Sequence, residues 1–134
     1  MKFTLKTKGH YHFIDITSQV ERAVENSQIK EGVVLVFVRG STAAVTTMEF
    51  EQGLIEDIKG ALEKIAPEAG NYKHHLKWGD KNGAAHIKSS LIGTDLSIPI
   101  EEGKLGLGTW QQIVLIDFDE KEREREIIVK IIKE

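Results

Sequence analysis

The chain of 134 residues has no cysteine. That one absence excludes disulfides, thiolate zinc sites and cysteine nucleophiles together, so any metal must sit on His, Asp or Glu. A long apolar run is missing too. The opening segment Met1-Lys2-Phe3-Thr4-Leu5-Lys6 alternates charge with hydrophobe and has no signal-peptide core, which predicts a cytoplasmic protein that does not span a membrane. Nor is there an excess of positive charge. With 18 Lys and Arg against 21 Asp and Glu, the net charge is -3 and the pI ≈ 6.0. Neither nucleic acid nor an anionic lipid surface is an expected partner, although a local basic pocket is compatible with this balance. The chain also lacks a His-Glu-x-x-His metal motif, a Walker phosphate loop, an internal repeat, a low-complexity tract and a linker.

What is present suits a globular fold. Hydrophobic residues make up 40% and charged residues 29%, enough apolar surface for one core at this length, and one domain over 1–134 is expected. Lys2 to Lys8 alternates in the period-two pattern of a half-buried strand, and Gly9-His10 reads as a turn into a short strand over Tyr11 to Ile14, a hairpin. Ser18 with Glu21 has the spacing of a capping box, predicting a helix over about Ser18 to Gln28. The run Val33 to Val38 reads as a central strand buried on both faces. Ala43 to Met48 is a further strand, and Leu54, Ile55, Ile58, Leu62 and Ile65 form the stripe of a second helix over about Gln52 to Ile65. Ala69 to Lys88, rich in His, Asn, Gly, Asp and Trp, reads as a long polar loop of functional type. Strands are expected at Asp95 to Ile100, Gln111 to Phe118 and Ile127 to Ile132. The expectation is an α/β or α+β domain with a mixed, mostly antiparallel sheet and two main helices.

Several residues stand out chemically. His74 and His86 flank a segment that also holds Asp80 and Asn82, and such a cluster suits a metal or a phosphate; spacing alone favours two separate hydrogen-bonded or exposed histidines. Glu49 closes an apolar strand, where a carboxylate serves as base, as ligand or as a solvated charge. Ser41 and Thr42 follow Gly40 between two strands, offering hydroxyl and backbone donors to a phosphate or forming an ordinary turn. Lys88 lies two positions after His86, so in an extended segment both would meet one anionic ligand. Trp110 and Gln111 suit stacking on a ligand and reading its polar edge, or core and subunit packing; Gly106 and Gly108 allow close backbone approach. His10, His12 and His75 read as surface residues, and Glu120 to Glu126 as a solvated hairpin tip.

Four segments, Gly40-Ser41-Thr42-Ala43-Ala44-Val45-Thr46-Thr47, Tyr72-Lys73-His74, Asn82-Gly83-Ala84-Ala85-His86-Ile87-Lys88 and Leu107-Gly108-Thr109-Trp110-Gln111, resemble in order and spacing the YjbQ-like family, also called the secondary thiamine-phosphate synthase family. The resemblance implies a compact sheet-and-helix fold, a homotrimer, and a pocket lined by the polar loop and the two motif strands. Taken with the chemical readings above, it leaves Glu49, His74 and His86 as the catalytic candidates and Ser41, Thr42, Asp80, Asn82, Lys88, Gly108, Thr109, Trp110 and Gln111 as the ligand-binding ones. Two departures stand against it: many members carry His where this chain has Gly40, and a Gly-Pro-Arg turn where it has Asp119-Glu120-Lys121-Glu122-Arg123. Arg123 and Arg125 match the family's arginines only with a one-residue insertion.

Three functions follow as expectations. One is an enzyme acting on a phosphorylated small molecule, thiamine phosphate formation being the activity the family name implies; the dedicated enzyme is a barrel of about 250 residues, which this chain is too short to build. Another is a hydrolase or lyase with a divalent metal, zinc or magnesium, using His74, His86 and a carboxylate such as Glu49 or Asp80, the ion activating water. The last is a protein that binds a phosphorylated metabolite without changing it.

Overall fold

In the computed structural model, which describes all of residues 1–134, the strands are β1 (Lys2–Thr7), β2 (His12–Asp15), β3 (Gly32–Val38), β4 (Ala43–Met48), β5 (Asp95–Glu101), β6 (Lys104–Leu105), β7 (Gln112–Asp117) and β8 (Arg123–Lys133). The helices are α1 (Thr17–Ser27), α2 (Gln52–Ile65), α3 (Lys73–Trp78) and α4 (Gly83–Ile92). Two sheets form, a five-stranded one in the order β1-β8-β3-β5-β6 and a three-stranded one in the order β2-β7-β4. Every pairing is antiparallel. The α+β expectation therefore holds, with the sheet wholly antiparallel and four helices where two were expected.

The two sheets face each other across a core of Val34, Val36 and Val38 from β3, Ala43 and Val45 from β4, Ile113 and Leu115 from β7, and Ile127 and Val129 from β8. Helix α1 closes this core with Val20, Ala23 and Val24. The other face of the small sheet carries Ala44, Met48, Val114 and Ile116, which pack with Leu62 of α2 and Ala85 of α4. The order of layers is thus large sheet, small sheet, then α2 and α4, with α1 closing the space between the sheets. Alternate residues of β4 and β7 serve both cores, which is why these strands read as continuous apolar runs. Strand β3 does not: Val34, Val36 and Val38 are buried, but Val33 is 39% exposed and Leu35 and Phe37 are half-buried on the outer face of the large sheet.

Several local expectations change in three dimensions. β1 and β2 do not form a hairpin; β1 pairs with β8 and β2 with β7. Gly9, His10 and Tyr11 all take left-handed backbone, with φ of 72, 49 and 67 degrees, and this turns the chain from one sheet to the other. Only glycine fits the first of these positions, because a Cβ on Gly9 would lie 2.5 Å from the Asp119 carbonyl oxygen. Ser18 does not cap α1; Asp15 Oδ1 instead accepts from the Thr17 N–H at 2.9 Å and the Thr17 hydroxyl at 2.6 Å. Ile65 lies off the packed stripe of α2 and is exposed. The charged run before Glu126 is not a free tip, since β8 already begins at Arg123.

The largest change concerns Ala69 to Lys88. It is not a loop: α3 and α4 occupy much of it. Glycine and histidine are indifferent helix formers, but Ala84, Ala85, Lys88 and Ser89 are buried, and the Ser89 hydroxyl donates to the Ala43 carbonyl at 2.6 Å. Small side chains let α4 lie close on β4, and packing rather than propensity makes it helical.

Candidate functional site

Where β4 begins and β7 ends, a polar hub sits at the edge of both cores. Asp117 is the last residue of β7 and Asp119 follows it; both side chains are buried. Arg125 of β8 donates from Nε to Asp117 Oδ2 at 2.7 Å, and from Nη2 to Asp117 Oδ1 at 3.0 Å and to the Thr42 hydroxyl at 2.6 Å. That hydroxyl donates onward to Asp119 Oδ2 at 2.9 Å, which also accepts from Arg123 Nε at 2.9 Å. The Thr7 hydroxyl donates to Asp117. Burial acts to raise the Asp119 pKa, but hydrogen bonds from Thr42, the Glu120 N–H and Arg123 outweigh it and hold the carboxyl below its ordinary value. Two carboxylates and two guanidiniums thus form a charge-balanced, hydrogen-bonded group at the mouth of the Gly40-Ser41-Thr42 loop.

Beside the hub stand two histidines. His74 on α3 and His86 on α4 have ring centroids 4.4 Å apart. His74 Nδ1 lies 3.5 Å from Asp80 Oδ1, too far for a good hydrogen bond. His74 Nδ1, Asp80 Oδ1 and Asn82 Oδ1 are all buried without a hydrogen-bond partner. Burial first and the charge of His74 second push the His86 pKa down, against smaller opposing effects of Asp119, Asp80 and a backbone hydrogen bond with Ser41. His86 is therefore neutral at neutral pH and able to accept a proton. His75, read as a surface residue, has a local role: its Nε2 accepts from the Gly83 N–H at 3.2 Å and its ring packs on Tyr72.

The model of the UPF0047 protein YjbQ-like family matches residues 1–134. The chain belongs to this family. A UPF0047 protein of Archaeoglobus fulgidus is 45% identical over 97% of this chain and 98% of its own length, and one of Methanocaldococcus jannaschii is 37% identical over 98% and 92%. Among solved structures, a YbjQ-like protein of unknown function from Sulfolobus solfataricus superposes with a TM-score of 0.90 at 38% identity, covering 100% of this chain and 97% of that one. A YjbQ/UPF0047 protein from Clostridium acetobutylicum gives 0.89 at 41% identity, covering 98% and 99%.

The YjbQ-like segments do not all meet in one chain. Ser41, Thr42, Asp80, Asn82, His74 and His86 gather at the hub. Gly108, Thr109, Trp110 and Gln111 lie at the other end of the same strands: β4 and β7 pair from Ala43 with Asp117 to Met48 with Gln112, five steps or about 17 Å apart. Gln111 Oε1 accepts from the Gly108 N–H at 2.8 Å, and Trp110 is 71% exposed. Glu49 is also at that far end and exposed, so Asp80 rather than Glu49 is the carboxylate beside the histidines.

Lys88 is a correction. Two residues apart in a helix means about 200 degrees around its axis, so Lys88 turns away from His86 toward α2. It is 1% exposed, donates to Glu63 Oε2 at 2.8 Å and sits 4.3 Å from the centre of the Tyr11 ring. The Tyr11 hydroxyl donates to the same carboxylate at 2.5 Å. Burial, then the bond to Glu63 and its charge, raise the Tyr11 pKa. Sequence reasoning missed Thr7, Tyr11, Glu63 and Asp117, and ranked Arg125 below the motif residues. The one signal in the sequence was the pair of aspartates that break the apolar run of β7.

No group of three or more His, Asp or Glu side chains is arranged to hold a metal ion. No helix is long and apolar enough to cross a membrane.

Proposed function

We propose that this protein binds a phosphorylated small molecule at the cluster of His74, His86, Asp80 and Asn82, in the cytoplasm, and that transfer of the thiamine-phosphate-synthase kind is the chemistry the site suits. The observation that carries the reading is the set of buried, unpartnered polar atoms on His74, Asp80 and Asn82. Buried polar atoms are normally paired, and leaving one unpaired costs about 1–3 kcal/mol. His74 Nδ1 and Asp80 Oδ1 face each other at 3.5 Å, so a ligand that draws the cluster together would pair them, and a loose polar set of this kind beside a neutral histidine supports a site completed on binding. Arg125 and Ser41 border the loop beside it and offer donors of the kind an oxyanion needs, while Thr42, whose hydroxyl is spent on Asp119, holds Arg125 in place. His86 would take or give a proton, and Asp80 would orient the His74 ring.

A divalent ion on His74 and His86 is the second reading, favoured by the same nitrogen and oxygen atoms. Its weakness is geometric: Asp80 stands beside the histidines, but the three side chains are not arranged to hold a metal ion, and zinc takes three or four ligands. Metal analysis of the purified protein separates the two.

The outer face of the large sheet supports the homotrimer. Cross-strand neighbours Val33 with Ile132 and Phe37 with Ile128 share it, Ile132 is 61% exposed, and no layer covers it. Exposed apolar patches of this kind mark protein contacts. Light scattering that finds only a 15.0 kDa species would exclude the trimer.

The binding reading is tested by thermal-shift screening of phosphate monoesters, thiamine phosphate among them, against wild type and His86→Ala. At least one ester should raise the wild-type melting temperature, and the variant should lose that response while staying folded. A panel without any stabilising member refutes the reading, and a ligand recovered unchanged after incubation leaves binding without catalysis.

A further inference from the structure

We propose that the notch at Gly40 is an oxyanion subsite, in which Arg125 Nη1 and the Gly40 main-chain N–H hold the phosphoryl group of a phosphate monoester. The inference rests on the phosphorylated-ligand reading above and places one end of that ligand.

Arg125 is nearly buried, at 6% exposure. Two of its three nitrogens are committed, Nε to Asp117 and Nη2 to Asp117 and Thr42. Nη1 makes no hydrogen bond within the chain, yet it is not among the sealed, unpartnered side-chain atoms, which belong to His74, Asp80 and Asn82 alone. It therefore opens to solvent. The opening is at Gly40: a Cβ built there would lie 2.7 Å from Nη1, and Gly40 itself is exposed. The absent side chain is the aperture.

The backbone supplies a second donor. Gly40 N is two bonds from the missing Cβ position, about 2.5 Å away by standard geometry, and so within about 5 Å of Nη1. An oxygen at the ordinary hydrogen-bond distance of about 2.9 Å from each donor spans that gap. The N–H groups of Gly40 and Ser41 lie outside the strands and donate to nothing in the chain, and the Ser41 hydroxyl is likewise free. Asp117 grips the guanidinium from behind, so its orientation is set before the ligand comes, and a charge-assisted hydrogen bond from a held arginine is about twice as strong as a neutral one. Because Asp117 and Asp119 already balance Arg125 and Arg123, the subsite selects by directed donors rather than by excess charge. His86, whose ring lies near the Ser41 backbone and, centre to centre, 4.4 Å from that of His74, stands next in line, so the remainder of the ligand runs toward the histidine pair.

Calorimetric titration at neutral pH and low salt, with inorganic phosphate and in parallel thiamine phosphate, tests this on the full chain and two variants. Gly40→Ala places a methyl group against Nη1. At φ +137 degrees an L-residue also strains the loop, so Arg125→Lys is the second variant: it keeps a cation for Asp117 but has no further nitrogen to present at the notch. Wild type should bind inorganic phosphate, and each variant that melts cooperatively should bind it at least tenfold more weakly. If Gly40→Ala does not fold, Arg125→Lys decides. Wild type that takes up no inorganic phosphate, or a folded variant that binds it as wild type does, overturns the subsite. In either case continued binding of thiamine phosphate leaves the broader reading standing, whereas loss of both ligands in wild type removes that reading as well.

Discussion

Replacing Arg125 by methionine keeps much of the side chain's volume and removes its charge. Asp117 would then stay behind with its side chain wholly buried, keeping the Thr7 hydroxyl and the Asp119 N–H as donors and losing both contacts from the guanidinium. Removing one partner of a buried ion pair destabilises by about 3–5 kcal/mol, far more than the net value of the pair, because the remaining charge is uncompensated. For a domain of this size 1 kcal/mol corresponds to roughly 3–5 °C, so melting should fall by about 9–25 °C. Arg39 with Glu126 is the internal control: it too is an arginine–carboxylate contact, at 3.1 Å, but both side chains are well exposed. Arg39→Met should lower stability by less than about 1 kcal/mol. Urea unfolding at one fixed protein concentration measures both, since an oligomer's midpoint moves with concentration. A loss for Arg125→Met no greater than that for Arg39→Met would refute the claim that the hub is a buried, coupled ion network. The double variant Arg125→Met with Asp117→Asn should recover part of the loss, because no orphaned charge remains.

Lys88→Met should destabilise by about 1–2 kcal/mol, because Glu63 is partly exposed and can return to water while Lys88 is not; phosphate affinity should stay as in wild type, and a large loss of binding would restore Lys88 to the ligand site. The pH dependence has a definite sign. With the folded-state pKa of His86 below its ordinary 6.5, the unfolded chain binds more protons between those two values, so stability is full above about pH 6.5 and falls as the pH drops through the folded value. His86→Gln should flatten the melting-temperature profile over that window, and an unchanged slope would exclude His86 as its source.

What could be read in the chain itself was whatever depends on local periodicity. β4 has the bounds its apolar run predicts, and α2 follows its stripe of Leu54, Ile55, Ile58 and Leu62. The alternation of Phe3 and Leu5 places β1 correctly, although not its partner. Likewise the segment between His74 and His86 was legible as chemically special, since histidine, aspartate and asparagine concentrate there without an apolar pattern. Its shape was not legible. Whether Gly83–Ile92 is loop or helix depends on the fit of Ala84, Ala85 and Ser89 against β4, a contact between residues some forty positions apart. That same helical turn decided the fate of Lys88, because two residues share a side in an extended chain and oppose each other in a helix.

The hub shows the division most sharply. Thr7, Thr42, Asp117 and Arg125 come from the two ends and the middle of the chain, and no spacing rule joins them. Gly40 is the bridge between the two levels: composition reveals only an absent side chain, while the fold sets Arg125 Nη1 in the space it leaves. Short-range steric and hydrophobic preferences are written along the sequence and determine the elements. Which charges meet at the end of β7 was decided by how the two sheets stack, because that arrangement minimises exposed apolar surface over the whole chain at once.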